Sequence, residues 1–447
     1  MDGLLAARLQ MTVSLAFHMI FAALGIGLPL LLVMAEGLWL RTGRAEYLAL
    51  ARKWSKALGV LFAVGAVSGT ALAFELGLLW PHFMQFAGPI IGSAFALEGY
   101  AFFIEAIFIG LYLYGWDRLS PRAHWLCGIP IAISGAVSGI LVVSANAWMQ
   151  HPVGFELVDG KAENIQPFAA LFSPAWAVMA LHSTLSCYTA TAFAVAGVYA
   201  WGYWKGHRTE VQRAGLRLSM ALGAVMALLM PLSGDLSAGF VAETQPTKLA
   251  AMEAQFETER GAAFRIGGWP DEERGEVSYV LEIPKLLSFL AFRDFDAEVK
   301  GLNEFPRSEW PNVTITHLSF QVMVGCGMAL ILVSGIYWLL YWRRRGELPG
   351  WAAAILVPAG TLGFLALETG WMVTEVGRQP WVIRDVMRTS EAVSPSPHLV
   401  NTFYSFTVLY LFLAVVLTWF LLRLGQQPQE PEPDEPAAAH GRASHAA

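Results

Sequence analysis

Apolar residues in this chain neither alternate nor fall into narrow helical stripes. They come in uninterrupted runs near 12–38, 55–80, 93–116, 124–148, 172–203, 217–240, 313–342, 350–375 and 400–424. A helix that crosses a bilayer needs about 20 consecutive, mostly apolar residues. The pattern therefore predicts an all-α integral membrane protein, a bundle of about nine transmembrane helices. The fifth and sixth runs also contain polar residues and Pro. Four regions follow: spans one to six in 1–240, a long polar connection in 241–312, spans seven to nine in 313–424, and a tail in 425–447. The tail, "GQQPQEPEPDEPAAAHGRASHAA" from Gly425, is rich in Pro and acid and poor in apolar residues, so disorder is expected there. His440 and His445 lie in it and take no role. The connection "PTKLAAMEAQFETE" is rich in helix formers after a Pro and predicts some local helix.

Charge orients the bundle. Arg41, Arg44, Arg52 and Lys53 follow the first span, Arg118 and Arg122 the third, Lys205, Arg208 and Arg213 the fifth, and Arg343, Arg344 and Arg345 the seventh. The alternate connections are poorer in Lys and Arg. The positive-inside rule then places the N-terminus outside and the C-terminus inside. Residues 378–388 carry three arginines on the outer side and depart from that pattern. Overall, 55% of residues are hydrophobic and 14% charged, against about 25% charged in soluble domains. No cleavable signal peptide is evident, and the first run reads as a span. Cys127, Cys187 and Cys326 stand singly in apolar runs, which argues for packing rather than a disulfide framework or zinc site. Net charge is −6, and no nucleic-acid partner is expected.

An ionisable side chain inside a span is costly, by at least about 2.5 kcal/mol at the bilayer centre, and so marks a functional position. The third run, "FALEGYAFFIEAIFIG", holds Glu98 and Glu105 seven residues apart. Seven steps of 100° return to one helix face, with about 10 Å between the two positions along the axis. Two stacked carboxylates suit a proton relay; the structural alternative is bonding to neighbouring helices. His18 and His182 lie inside the first and fifth runs. Either could ligate a metal or bond to a backbone carbonyl. His82, His124, His151, His207, His317 and His398 fall near span ends, where interfacial or solvated positions are expected. Met323 alone is a packing residue, but with His182 it makes a His/Met pair, a known axial arrangement for haem. Gly325 and Gly327 beside it would allow close approach of a flat macrocycle. The eighth run ends "ALETGWMVTEVGRQPW", with Glu368, Glu375 and Arg378 where a lipid-facing helix would carry none of them.

These segments, in this order, resemble subunit I of the cytochrome bd family of quinol oxidases. The resemblance runs to about residue 425 and rests on "RLQ" with His18, "ALEGYAFFIE", "GWDRLS", "SANAWMQHPVGF", "LHSTLSCY", "TKLAAMEAQFET", "FQVMVGCG" and "GWMVTEVGRQPW". It implies that His182 and Met323 ligate a low-spin haem b that receives electrons from quinol near the outer face. His18 and Glu375 match ligands of the two other haems, a high-spin haem b and a third of d or b type, which form the oxygen-reducing site. Trp371 and Asn146 match residues packed around the haems, and Arg378 an Arg that meets a propionate. Lys248 and Glu253 match quinol-contacting residues of the outer connection, the Q-loop. Glu98 matches a residue at the oxygen site, and Glu105 and Ser138 part of a proton path from the cytoplasm. The implied enzyme is a respiratory quinol oxidase of a bacterial inner membrane that generates a proton motive force without pumping. Its implied partners are a second large membrane subunit (subunit II) and, in some members, a very small third one.

Two departures look like the cyanide-insensitive branch: Gln321 stands where better-known members have Arg, and "ALAFELGLLW" replaces an "EFQFGTNW" type of sequence. The Q-loop is also short. A proton-coupled transporter would also carry intramembrane carboxylates, but inverted repeats and broken helices are not evident. A non-catalytic haem-binding subunit would have no use for Lys248 and Glu253. The three arginines of 378–388 are expected to answer haem carboxylates.

Overall fold

The computed structural model describes residues 1–426, so the expected disorder of the tail falls, from 427 on, outside the described residues. Among those described, nine helices are long and apolar enough to cross a membrane. They are α1 (Gly3–Thr42), α2 (Ala45–Leu79), α3 (Pro81–Gly115), α4 (Pro121–Gln150), α5 (Trp176–Trp204), α6 (Glu210–Thr244), α7 (Val313–Arg343), α8 (Gly350–Val376) and α9 (Leu399–Gln426). Several outrun the apolar segments that predicted them. At 1.5 Å per residue, the 40 residues of α1 reach about 60 Å, against about 30 Å of hydrocarbon, so its ends stand in the polar zones.

Local sequence sets the helix starts. Asp2, Ser120, Thr209 and Asn312 are N-caps whose side chains accept from Leu5, Ala123, Gln212 and Ile315 N–H groups. Gly43, at φ 67°, takes the left-handed position that ends α1. Pro29 inside α1 has no N–H to offer the Gly25 carbonyl, which is thereby freed.

The helices pack as two groups of four, consecutive in sequence. In the first, α1 packs on α2 and α4, and α3 on the same two. In the second, α5 packs on α6 and α8, and α7 on the same two, which leaves α5 and α7 on a diagonal. Contacts of α1 and α4 with α5 join the groups, and α9 lies against α1 and α2. Backbones come closest between α5 and α8. A Cβ added to Gly197 would lie 3.0 Å from Gly360 Cα, and one on Gly363 2.8 Å from Ala190 Cα. Small residues are what allows such an approach between membrane helices.

The long connection of 241–312 is more than helix. Its predicted helix is one short segment, Pro246–Met252, followed by an antiparallel hairpin of β1 (Phe264–Asp271) and β2 (Glu276–Ile283). Asp271 builds the turn: its Oδ1 accepts from Glu273 and Arg274 N–H, its carbonyl accepts from Gly275, and Gly275 takes φ 69°. Turn chemistry, rather than apolar periodicity, makes this element, so the apolar pattern did not show it.

Candidate functional site

His18 and His182 are held the same way. The Nδ1 of His18 lies 3.0 Å from Ser68 Oγ of α2, and that of His182 lies 2.9 Å from Ser233 Oγ of α6. Neither Nε2 has a hydrogen-bond partner among the described residues. A ring fixed through one nitrogen with the other free is how a protein presents histidine to iron. Glycine clears the space beside each ring: a Cβ on Gly69 would lie 2.9 Å from His18 Cε1, and one on Gly234 3.5 Å from His182 Cε1. Met323 stands on α7, diagonal to the α5 that carries His182. Its Sδ lies 3.0 Å from where Gly370 of α8 would carry a Cβ. A Cβ on Gly325 or Gly327 would meet nothing.

Glu375 occupies the last turn of α8 and joins the two helix groups. Its Oε1 accepts from Asn146 Nδ2 of α4 at 2.6 Å, and its Oε2 from Arg378 Nη2 at 2.5 Å. The helix ends at Val376, and Gly377 stays near helical at φ −66° and ψ −13°, so the i, i+3 pair still forms. Arg378 is 5% exposed, yet its Nε and Nη1 have no partner, and neither has Asn146 Oδ1. A guanidinium with buried, unanswered N–H groups fits an anionic group such as a propionate. The donor set and these orphaned atoms therefore fit haem. Trp371 packs against a small cluster that includes Ala23, Cys187 and Leu367. Of the other outer arginines, Arg388 is committed to Glu309 and lies over the Trp381 ring, and Arg384 reaches Asp385. Arg388 and Arg384 thus each have a carboxylate partner within the protein, whereas Arg378 keeps buried nitrogens unanswered.

Glu98 accepts from Ser138 Oγ at 2.9 Å, across the α3–α4 contact. Glu105, 5% exposed, points at Gly135 of α4. A Cβ there would lie 3.3 Å from Glu105 Oε1 and 3.2 Å from the Gly25 carbonyl that Pro29 leaves free. The Glu105 carboxyl and that carbonyl thus flank the same glycine.

In the outer connection, Lys248 is buried and donates to Thr374 O at 3.2 Å and Gln150 Oε1 at 3.4 Å, next to Glu375. Burial, and then the Arg378 guanidinium, push its ammonium down to about 7. Glu253, 2% exposed with Oε2 unpartnered, is pushed up by burial to about 8, against the pull of Arg265. The two residues turn to different partners. Arg265 Nη1 donates to the Ala254 carbonyl and Gln255 Oε1 beside Glu253. Gln321 is used by the hairpin: Gly267 N–H donates to it and it donates to Arg265 O, both at 2.9 Å.

Two histidines expected at interfaces are buried instead. His317 is fully enclosed between the carbonyls of Met252 at 2.9 Å and Gly267 at 3.0 Å, fastening the outer connection to α7. His124 lies within the first helix group, against Glu36. Nearness to a span end concealed both, because segments distant in sequence, rather than position along the helix, enclose them. Glu368, one heptad before Glu375, keeps Oε1 buried without a partner.

Residues 6–428 match the family model described as cytochrome bd terminal oxidase subunit I. The chain is 38% identical over 428 residues to the putative cytochrome bd menaquinol oxidase subunit I of Bacillus subtilis (strain 168), covering 94% of this chain and 96% of that one. It is 33% identical over 438 residues to the cytochrome bd ubiquinol oxidase subunit 1 of the same organism, covering 95% and 93%. Among solved structures, bd oxidase from Geobacillus thermodenitrificans superposes with a TM-score of 0.91 at 40% identity, covering 95% of this chain and 98% of that one.

Proposed function

The chain belongs to the cytochrome bd terminal oxidase subunit I family and is a multi-pass quinol oxidase subunit of the bacterial cytoplasmic membrane; from that premise we propose how its residues divide the reaction between the two faces. Quinol is oxidised at the outer face and oxygen is reduced to water with cytoplasmic protons, with the N-terminus outside and the C-terminus inside. His182 and Met323 would hold a low-spin haem b. His18 and Glu375 would hold a high-spin haem b and a third haem of d or b type, with Asn146 and Trp371 around them and Arg378 on a propionate. Bound haem supplies the one-electron steps between quinol and oxygen.

The carrying observation is that the 246–253 segment touches two of the four helices that bear candidate ligands, α7 and α8. Met252 O meets His317 of α7, and Lys248 Nζ meets Thr374 O of α8. Quinol at this segment stands beside Met323 and Glu375 helices at once. Glu253 accepts a quinol hydroxyl proton and releases it outside; Lys248 orients a quinol oxygen. Glu105, Ser138 and Glu98 form a line along the α3–α4 contact that carries protons outward to the oxygen site. Release outside and uptake inside build a proton motive force without pumping.

Tyr100, Phe103, Ile107 and Tyr114 form a strongly exposed apolar stripe on α3 that suits lipid or a subunit II, with a very small third subunit as a further partner. Gln321 and the 71–80 sequence support the cyanide-insensitive branch, which a cyanide titration of turnover tests. The reading as a whole is tested by a reduced-minus-oxidised visible spectrum of the purified complex. Haem b bands are expected, and a long-wavelength band marks a d-type haem; a complex without haem bands overturns the assignment. Turnover with ubiquinol and menaquinol analogues identifies the donor.

A further inference from the structure

The α3–α4 contact carries a third polar station that the reaction above leaves unused. On α3, Glu98, Glu105 and Tyr112 follow at seven-residue steps, so they share one face at intervals of about 10 Å. Opposite them on α4 stand Ser138, Gly135 and Gly128, the last with its Cβ position 3.2 Å from the Tyr112 ring. The Tyr112 hydroxyl meets Glu36 Oε2 of α1 at 2.5 Å, and Glu36 Oε1 lies 2.7 Å from His124 Nδ1. His124 Nε2 lies 2.9 Å from the Tyr112 carbonyl. Glu36, Tyr112 and His124 are 0%, 1% and 2% exposed.

A carbonyl only accepts, so His124 Nε2 carries hydrogen. The Nδ1–Oε1 contact then holds one shared proton, either as imidazolium with carboxylate or as neutral imidazole with carboxylic acid. A tie that needed only strength would do as well with apolar side chains. Other groups facing the cluster are Cys127, which feels the Glu36 charge, and Trp116, whose ring centroid lies 3.9 Å from that of His124. The Arg52 guanidinium lies over Trp116 at 5.4 Å. Past Trp116 the chain from Asp117 to Arg122 is exposed, so one indole separates His124 from water.

We propose that His124, Glu36 and Tyr112 form the entry station of the proton path, on its cytoplasmic side. This rests on the orientation and the Glu105 path proposed above. The shared proton passes from His124 Nδ1 to Glu36 and leaves by way of the Tyr112 hydroxyl for the Glu105 carboxylate. The vacated Nδ1 then takes the next proton from cytoplasmic water, with the Nε2 hydrogen staying on the Tyr112 carbonyl. The cluster ends each cycle in its starting protonation state and no electron moves. The step to Glu105, about 10 Å along α3, is longer than one hydrogen bond and calls for water between the two groups.

The test uses the assembled oxidase carrying His124→Gln, Tyr112→Phe or Glu105→Gln. Quinol-driven oxygen consumption, its pH profile and its solvent isotope effect are measured, with the haem spectrum as the assembly check. His124→Gln and Tyr112→Phe are expected to slow turnover about tenfold or more and raise the isotope effect with the spectrum unchanged. Combined with Glu105→Gln they add no further loss, because the sites act in series. If Glu105→Gln slows turnover while the other two leave rate and isotope effect unaltered, the station is overturned and the path stands. If Glu105→Gln itself has no effect, the path falls and the station with it. A lower melting temperature with unchanged isotope effect and pH profile assigns the cluster to structure and also overturns the proposal. Should His124→Gln fail to assemble, Tyr112→Phe decides, because it keeps the ring and removes only the hydroxyl.

Discussion

Arg378 grips Glu375 at 2.5 Å across one helical turn while two of its three nitrogens, enclosed in protein, answer nothing. The pair is thus half of an arrangement: the carboxylate is oriented by Arg378 and Asn146, and the remaining guanidinium edge is free for a second anion.

Arg378→Gln removes both functions. With Arg378 almost wholly buried and Glu375 part-exposed, the stability loss is expected at the lower end for a broken buried pair, about 3 kcal/mol. Thermal denaturation reads that loss. Haem quantification per complex should show the Glu375-side haem depleted and the His182-side signal kept.

His182→Ala is expected to abolish the low-spin b signal, and retention of that signal would move the ligand elsewhere. Ser233→Ala keeps the ligand and loses the hydroxyl that orients it. It should weaken haem retention by about 10- to 100-fold and shift the low-spin potential in a redox titration.

Glu253 works as a base only once ionised, and its proton leaves near pH 8. Below that value the active fraction falls about tenfold per pH unit, so quinol oxidation at saturating oxygen should rise with pH and level above about 8. Glu253→Gln should remove that limb and leave the haem spectrum intact; an unchanged pH profile would take Glu253 out of the quinol site. Lys248, titrating near 7, is neutral through most of the same rise.

Gly363→Ala places a methyl 2.8 Å from Ala190 Cα, where backbone cannot give way. Overpacking of this kind costs about 1–3 kcal/mol, measured as a lower melting temperature. Gly335→Ala, which meets nothing, is expected to leave it unchanged.

The nine spans were legible because a bilayer demands long apolar runs, and that signal survives any detail of packing. Glu98, Glu105 and His182 were legible for the converse reason, as polar groups where lipid forbids them. The β1–β2 hairpin was not, since it depends on Asp271 and Gly275 rather than on periodicity. The pairing of Glu36 with His124 was hidden by distance in sequence: 88 positions separate them, and each alone looks like a residue at a helix end. The separate environments of Lys248 and Glu253, five positions apart in the same motif, arise from where a short helix ends, which composition does not set.

The diagonal placement of α5 and α7 also has a schedule built into it. His182 leaves the ribosome about 140 residues ahead of Met323, which at 5–20 residues per second is roughly 7–30 s of synthesis. Between them the whole 241–312 connection must be made and, in the orientation proposed above, exported across the membrane. The first group of four helices can close in that interval, but the second holds an open side until α7 and α8 insert. If the two hold a haem as proposed, it would be seated only late, as an event of assembly rather than of folding, and a chain halted in the connection would hold a histidine with no counterpart.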